Sequence, residues 1–163
     1  MNSIVAGIDP GLEHVAWAAI DTETEELFYD LVEVPARTRS AYSYYRSASL
    51  VGRSMMKELP LTLGESLDRV LVEEMVHYHK QDNDVDPNDL LALAYQSGAI
   101  VDRFHSVCDV ELCPAREWKG QTPKKVTQAR AERDWGIDLS AEFGSEAHNV
   151  YDAIGMAETL RSE

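Results

Sequence analysis

Three acidic positions in this 163-residue chain sit where an acid is costly to place. Asp9 closes the apolar run Ile4–Ile8 in SIVAGIDPG, Glu73 and Glu74 close DRVLVEE, and Asp152 interrupts a stripe of Val150, Ile154 and Ala157 in HNVYDAIGMA. A carboxylate beside a core-facing stripe is unfavourable unless it is paired or liganded. Asp9 ends one strand and Glu73 or Glu74 ends another; adjacent strands lie about 5 Å apart, so the acids meet if those strands adjoin. Crowded carboxylates raise one another's pKa unless a cation lies between them. His148 stands four residues before Asp152 and shares its helical face. It is the candidate fourth member, as a transition-metal ligand or as a base for an attacking water. Hard divalent cations take oxygen ligands, and two of them about 3.5–4 Å apart suit phosphodiester hydrolysis. The chemistry this set points to is hydrolysis with one or two Mg²⁺ or Mn²⁺. Each residue alone has an ordinary reading as a turn, a solvated strand end or a paired acid; their coincidence at one place carries the functional one.

The formal net charge is −14, which argues against a nucleic-acid partner, since phosphate neutralisation needs Lys and Arg. The distribution says otherwise. Arg37, Arg39, Arg46, Arg53 and Lys57 fall in one stretch without an acid, and Arg116, Lys119, Lys124, Lys125 and Arg130 fall in another with only Glu117. Two basic islands in an acidic chain suit a defined polyanion groove, with Tyr42, Tyr44 and Tyr45 beside Arg46 able to stack on bases. A merely acidic or high-salt surface with chance clustering is the bland alternative.

The elements that must position these groups are legible in outline. Ser3–Asp9, His14–Asp21 and ELFYDLVEVP read as three strands of an antiparallel meander. Ser40 is placed to cap a helix running to about Glu58, in which Tyr42, Tyr45, Leu50 and Met56 are the larger apolar residues. DRVLVEE reads as a strand buried on both faces. Asp86 before Pro87 starts a helix through His105, with Leu90, Leu91, Ala94, Ile100 and Val101 as its apolar face. SVCDVELCP is a fifth strand. A helix follows with Thr122 as cap, Pro123 first and Gly136 at its end, and a last helix spans roughly Glu146 to Leu160. A meander feeding alternating helices and strands gives an α/β mixed sheet covered on both faces, in one domain. No 18-residue apolar run and no basic-then-apolar leader occur, which points to the cytoplasm. Cys108 and Cys113, five apart, fall on opposite strand faces and are not expected to pair. His77 and His79 are read as a solvated or DNA-facing loop rather than a zinc site.

GIDPG, VLVEEMV, LLALAYQSGAI, PAREWKGQTPKKV and HNVYDAIGMA follow one another in an order that resembles RuvC-like Holliday junction resolvases, above all the small phage and virus-type members, over nearly the whole chain. The resemblance implies an RNase H-like nuclease domain across residues 1–163, a homodimer, and hydrolysis with Mg²⁺ or Mn²⁺, two ions per site, that nicks a four-way junction symmetrically. It matches Asp9 to the first acid, Glu73, directly after the branched Val72, to the second, and Asp152 to the last. Several members carry Asp where this chain has Asn149, and others a His nearby, as His148 is here. Arg116, Lys119, Lys124, Lys125 and Arg46 are the expected DNA contacts, and the helix from about Asn88 to Phe104 the expected dimer interface. No small-molecule cofactor is implied. A phage- or virus-encoded protein in the host cytoplasm, or a bacterial or archaeal one, fits the resemblance. The alternatives are a catalytically lapsed DNA-binding module and a nuclease acting on other branched DNA or on RNA–DNA hybrids. An actin-like ATPase would need two such subdomains, more than this length holds.

Overall fold

Strand β1 (Ser3–Pro10) sits at the centre of the molecule and organises everything around it. The computed structural model describes residues 3–34, 41–59, 66–74 and 86–163. Arg37, Arg39, the Ser40 cap, the His77–His79 pair and the side chain of Tyr42 lie outside the described residues. β2 (His14–Asp21) and β3 (Leu27–Glu33) complete the antiparallel meander, while β4 (Ser66–Glu74) and β5 (Asp109–Pro114) pair in parallel, giving the order β3-β2-β1-β4-β5.

Alternation along the strands divides the core in two. Ile4, Ala6 and Ile8 of β1 and Val70 and Val72 of β4 face one side, against α1 (Ala41–Glu58) and α2 (Pro87–His105). Val5 of β1 and Leu71 of β4 face the other, against α6 (Ala147–Arg161) and α4 (Lys124–Trp135). Cys108 packs with the first cluster and Cys113 with the second, so the thiols are indeed on opposite faces. Trp17 is wholly buried, and its indole N–H donates to Ser54 Oγ at 3.0 Å, whose hydroxyl donates in turn to Asp30 Oδ2 at 2.5 Å. That chain ties α1 to the meander without leaving a buried donor unpaired.

Local chemistry sets the helix ends. The Asp86 carboxylate accepts from Asn88 N at 2.8 Å with Pro87 in the first turn, as expected. Gly136 closes α4 in the left-handed region at φ 65°. Pro123 itself occupies the cap position of α4, however, and no side chain caps that end, so Thr122 does not serve as the cap. Three short elements were not foreseen: α3 (Ala115–Trp118), α5 (Ser140–Phe143) and a 3₁₀ turn at Gly144–Glu146.

The helix faces also differ from expectation. On α1 the buried large and apolar residues are Tyr44, Ala48, Val51 and Met55, beside buried Ser43, Ser47 and Gly52, whereas Tyr45 and Met56 are exposed. On α2 they are Ala92, Gln96, Ser97, Ala99, Ile100 and Phe104, with Leu91 exposed. The two helices pack closely on each other, and close approach favours Ala and Ser at the contact over larger side chains. Among the described residues no helix is long and apolar enough to cross a membrane.

Candidate active site

Parity places the first two acids. Asp9 is two residues beyond Gly7 and four beyond Val5, and Glu73 two beyond Leu71, so both point toward α6. The parallel register pairs Ile8 with Val72, which makes Asp9 and Glu73 next-door neighbours at the carboxyl ends of their strands. The third acid comes from above. Asp152 lies on α6, which packs directly over β1 and β2. Carboxyl ends of parallel strands are where open α/β sheets place their ligand crevices. Here they border a cavity of about 490 Å³ lined by Asp9, Glu73, Asp152, Asn149, Lys119 and Lys124, among others.

The electrostatics follow from that crowding. Burial pushes the Asp9 carboxyl well above the ordinary aspartate range, and the charges of Glu73 and Asp152 push it further, against relief from Lys124 and Lys119. Glu73 is also raised, by burial and then by Asp152, while a hydrogen bond from Trp118 pulls it back. Asp152 is balanced locally: Lys119 Nζ donates to its Oδ1 at 2.5 Å, with both side chains nearly out of solvent. As the side chains stand, no group of three His, Cys, Asp or Glu among the described residues is gathered tightly enough to hold a metal ion. Lys119 is the cation on Asp152. The donor set nevertheless fits a hard divalent ion, because three carboxylates face one cavity and Asp9 has neither a hydrogen-bond nor an ion-pair partner among the described residues.

The remaining expected residues divide. Lys119 and Lys124 line the cavity, while Arg116 and Lys125 are exposed outside its lining, on the flanking α3 and α4. Arg46 is exposed on α1, which covers the sheet face opposite α6, so it is not brought to the cavity. His148 is not brought there either. It is exposed, and its Nδ1 lies 2.7 Å from the Ser145 carbonyl. Asn149, one residue on and rotated by about 100°, takes the place at the rim and donates from Nδ2 to Glu146 Oε2 at 3.0 Å. Glu146 borders the cavity and was not anticipated, nor was the 3.2 Å bond from Trp118 Nε1 to Glu73 Oε2. The spacing of Glu146, Asn149 and Asp152, three apart in the sequence, was the available signal for Glu146.

A five-stranded mixed sheet of this order, with helices on both faces, has the RNase H-like fold. The structure of T. thermophilus RuvC in complex with a Holliday junction substrate aligns over 96% of this chain and 91% of its own, with a TM-score of 0.69 and 18% identity. The yeast mitochondrial Holliday junction resolvase Ydc2 aligns over 96% of this chain and 77% of its own, with a TM-score of 0.63 and 8% identity. At such identities the likeness is one of fold. No protein-family model and no curated protein matches the sequence.

Proposed function

We propose that the protein is a divalent-cation-dependent endonuclease that resolves four-way DNA junctions as a homodimer. The observation that carries this is the meeting of Asp9, Glu73 and Asp152 at one cavity beside Lys119 and Lys124, on a fold shared with two junction resolvases. Asp9, Glu73 and Asp152 would hold Mg²⁺ or Mn²⁺, one or two ions per site. Bound there, the cation would supply an activated water and neutralise charge building on the phosphate. In the hydrolysis itself a water oxygen bonds to phosphorus, a bridging P–O bond breaks, and the leaving oxygen takes a proton. Lys119 and Lys124 would hold the phosphate beside the acids, Lys119 from its position against Asp152. Arg116 and Lys125 extend the positive surface along the strand, and Arg46 serves a more distant DNA arm.

The Lys119–Asp152 pair also favours a second reading, a DNA-binding module whose cation is that lysine and whose catalysis has lapsed. Labelled four-way, Y-shaped and linear DNA incubated with Mg²⁺ or Mn²⁺ separates the two. Paired nicks in the four-way substrate support the nuclease; binding without cleavage under every condition overturns it. A Lys124→Ala/Lys125→Ala variant should bind the junction more weakly, with the slope of log K against log salt shallower by up to about 2. An unchanged slope would remove these lysines from the interface.

The dimer rests on the outer face of α1 and α2. Tyr45, Met56, Leu91 and Tyr95 are 55–64% exposed there, and Tyr95 stacks on the buried Tyr44 at 6.1 Å. On the helix expected at the interface, Leu91 and Ala94 face outward, whereas Ile100 is core and Leu93 borders the active-site cavity. Paired nicks across a two-fold junction are most simply made by a two-fold protein. Light scattering at micromolar concentration should give twice the chain mass; a monomer with and without junction DNA would sink the dimer.

A further inference from the structure

We propose that Trp118 is a positioning residue, whose indole N–H fixes the orientation of the Glu73 carboxylate, and that Gly155 is the notch that seats it. This rests on the metal-site reading of Glu73. Trp118 ends α3, the one-turn helix that directly follows β5, and β5 pairs Cys113 with Glu73. The indole therefore arrives beside the acid from the neighbouring strand, and its Nε1 donates to Glu73 Oε2 at 3.2 Å. It is the one hydrogen bond to that carboxylate among the described residues.

The ring has two close neighbours in the site. Lys119 Nζ sits 5.2 Å from its centroid while bonding Asp152, so two successive residues of one turn each reach a different acid of the site. At the outer edge of the ring lies Gly155, three residues after Asp152 on the same helix. A Cβ there would come within 2.8 Å of Trp118 Cζ3 and 3.2 Å of Thr127 Cγ2. Any larger residue displaces the indole, and the displacement carries Nε1 away from Glu73. A carboxylate that must accept a metal needs one oxygen held and the other free, since partners behind ligands set their orientation and commonly alter metal affinity about 10–100-fold when removed. Trp118 holds Oε2.

Trp135 provides an internal control. It lines the same groove between α4 and α6, and its Nε1 donates to Glu158 Oε1 at 2.8 Å, outside the acid cluster. Each protein is titrated with Mn²⁺ alone, without DNA, and the melting temperature is followed to find the half-stabilising concentration. Trp118→Phe keeps an aromatic ring and loses the donor; it should raise that concentration about tenfold or more. Trp135→Phe should lower the cation-free melting temperature and leave the half-stabilising concentration where it was. Gly155→Ala should raise it in the wild type and add little in the W118F background, because the smaller ring leaves room for the methyl and the donor is already gone. A W118F protein that responds at the wild-type concentration overturns the positioning role while leaving the metal site standing. A wild-type protein with no Mn²⁺ response overturns the metal site and this proposal together.

Discussion

Asp9→Asn should abolish junction cleavage, leave junction binding as tight as before or tighter, and raise the melting temperature of the cation-free protein. The three effects share one cause. Asp9 is crowded by two other acids, its carboxyl lifted well above the ordinary aspartate range by burial and by Glu73 and Asp152. A raised pKa in the folded state means that the folded protein holds the proton more tightly than the unfolded chain. By linkage, the contribution of this group to stability is fully present below the unfolded pKa. It declines as pH rises through the folded pKa and is lost above it. Glu73 is shifted in the same direction, so the two act together. The wild-type protein without divalent ions should therefore lose stability as pH rises from the ordinary carboxylate range toward neutrality, and Asp9→Asn should flatten that decline.

Added Mg²⁺ should stabilise the wild type at neutral pH by mass action, and much less the variant. On the proposed metal-site reading, losing the Asp9 carboxylate should cost at least about 10³-fold in rate, equivalent to about 4 kcal/mol of transition-state stabilisation. Binding is spared because only a negative charge is removed from a phosphate-facing cavity. Thermal melts across pH with and without Mg²⁺, and single-turnover cleavage of a labelled junction, read all of this. Wild-type cleavage by Asp9→Asn would remove both the metal-site assignment and the enzymatic reading.

Much of this site is legible in the sequence, because strand parity is a strict rule. A residue two beyond another on a strand shares its face, so Asp9 and Glu73 were bound to point the same way once β1 and β4 adjoined. The motif order supplied that adjacency. Helical residues were harder, since a helix can rotate by one position without breaking its hydrophobic pattern. On α1 the stripe through Tyr45 and Met56 looks as apolar as the one through Tyr44 and Met55, and only packing against Trp17 and α2 chooses the second. The same ambiguity bears on His148 and Asn149, of which Asn149 borders the cavity and His148 is exposed outside its lining. Interactions such as Lys119 with Asp152, 33 residues apart, leave no periodic trace at all. The basic island around Lys119 was visible as charge, but its use as a counter-ion inside the acid cluster was not.

Gly7 allows α6, and with it Asp152, to approach the central strand closely. Gly7→Ala should destabilise the protein by at least about 3 kcal/mol, at the upper end of what overpacking costs. It should also weaken cleavage in whatever fraction still folds. A Cβ at Gly7 would lie 2.2 Å from the Ala153 carbonyl oxygen, 2.6 Å from Met156 Cβ and 2.8 Å from Ala157 N. None of these atoms belongs to the far end of a flexible side chain. The methyl can be accommodated only if the helix lifts off the central strand, and Asp152, adjacent to Ala153, lifts with it. Urea melts give the stability, and the half-stabilising Mn²⁺ concentration reports whether Asp152 still faces Asp9. A second change tests the cause. Met156→Ala should fail to rescue Gly7→Ala, because alanine keeps the offending Cβ and the Ala153 carbonyl remains in place. Rescue by Met156→Ala would mean that the long side chain, rather than the backbone of α6, is what Gly7 accommodates. Wild-type stability for Gly7→Ala would mean that β1 and α6 are not seated on each other as described.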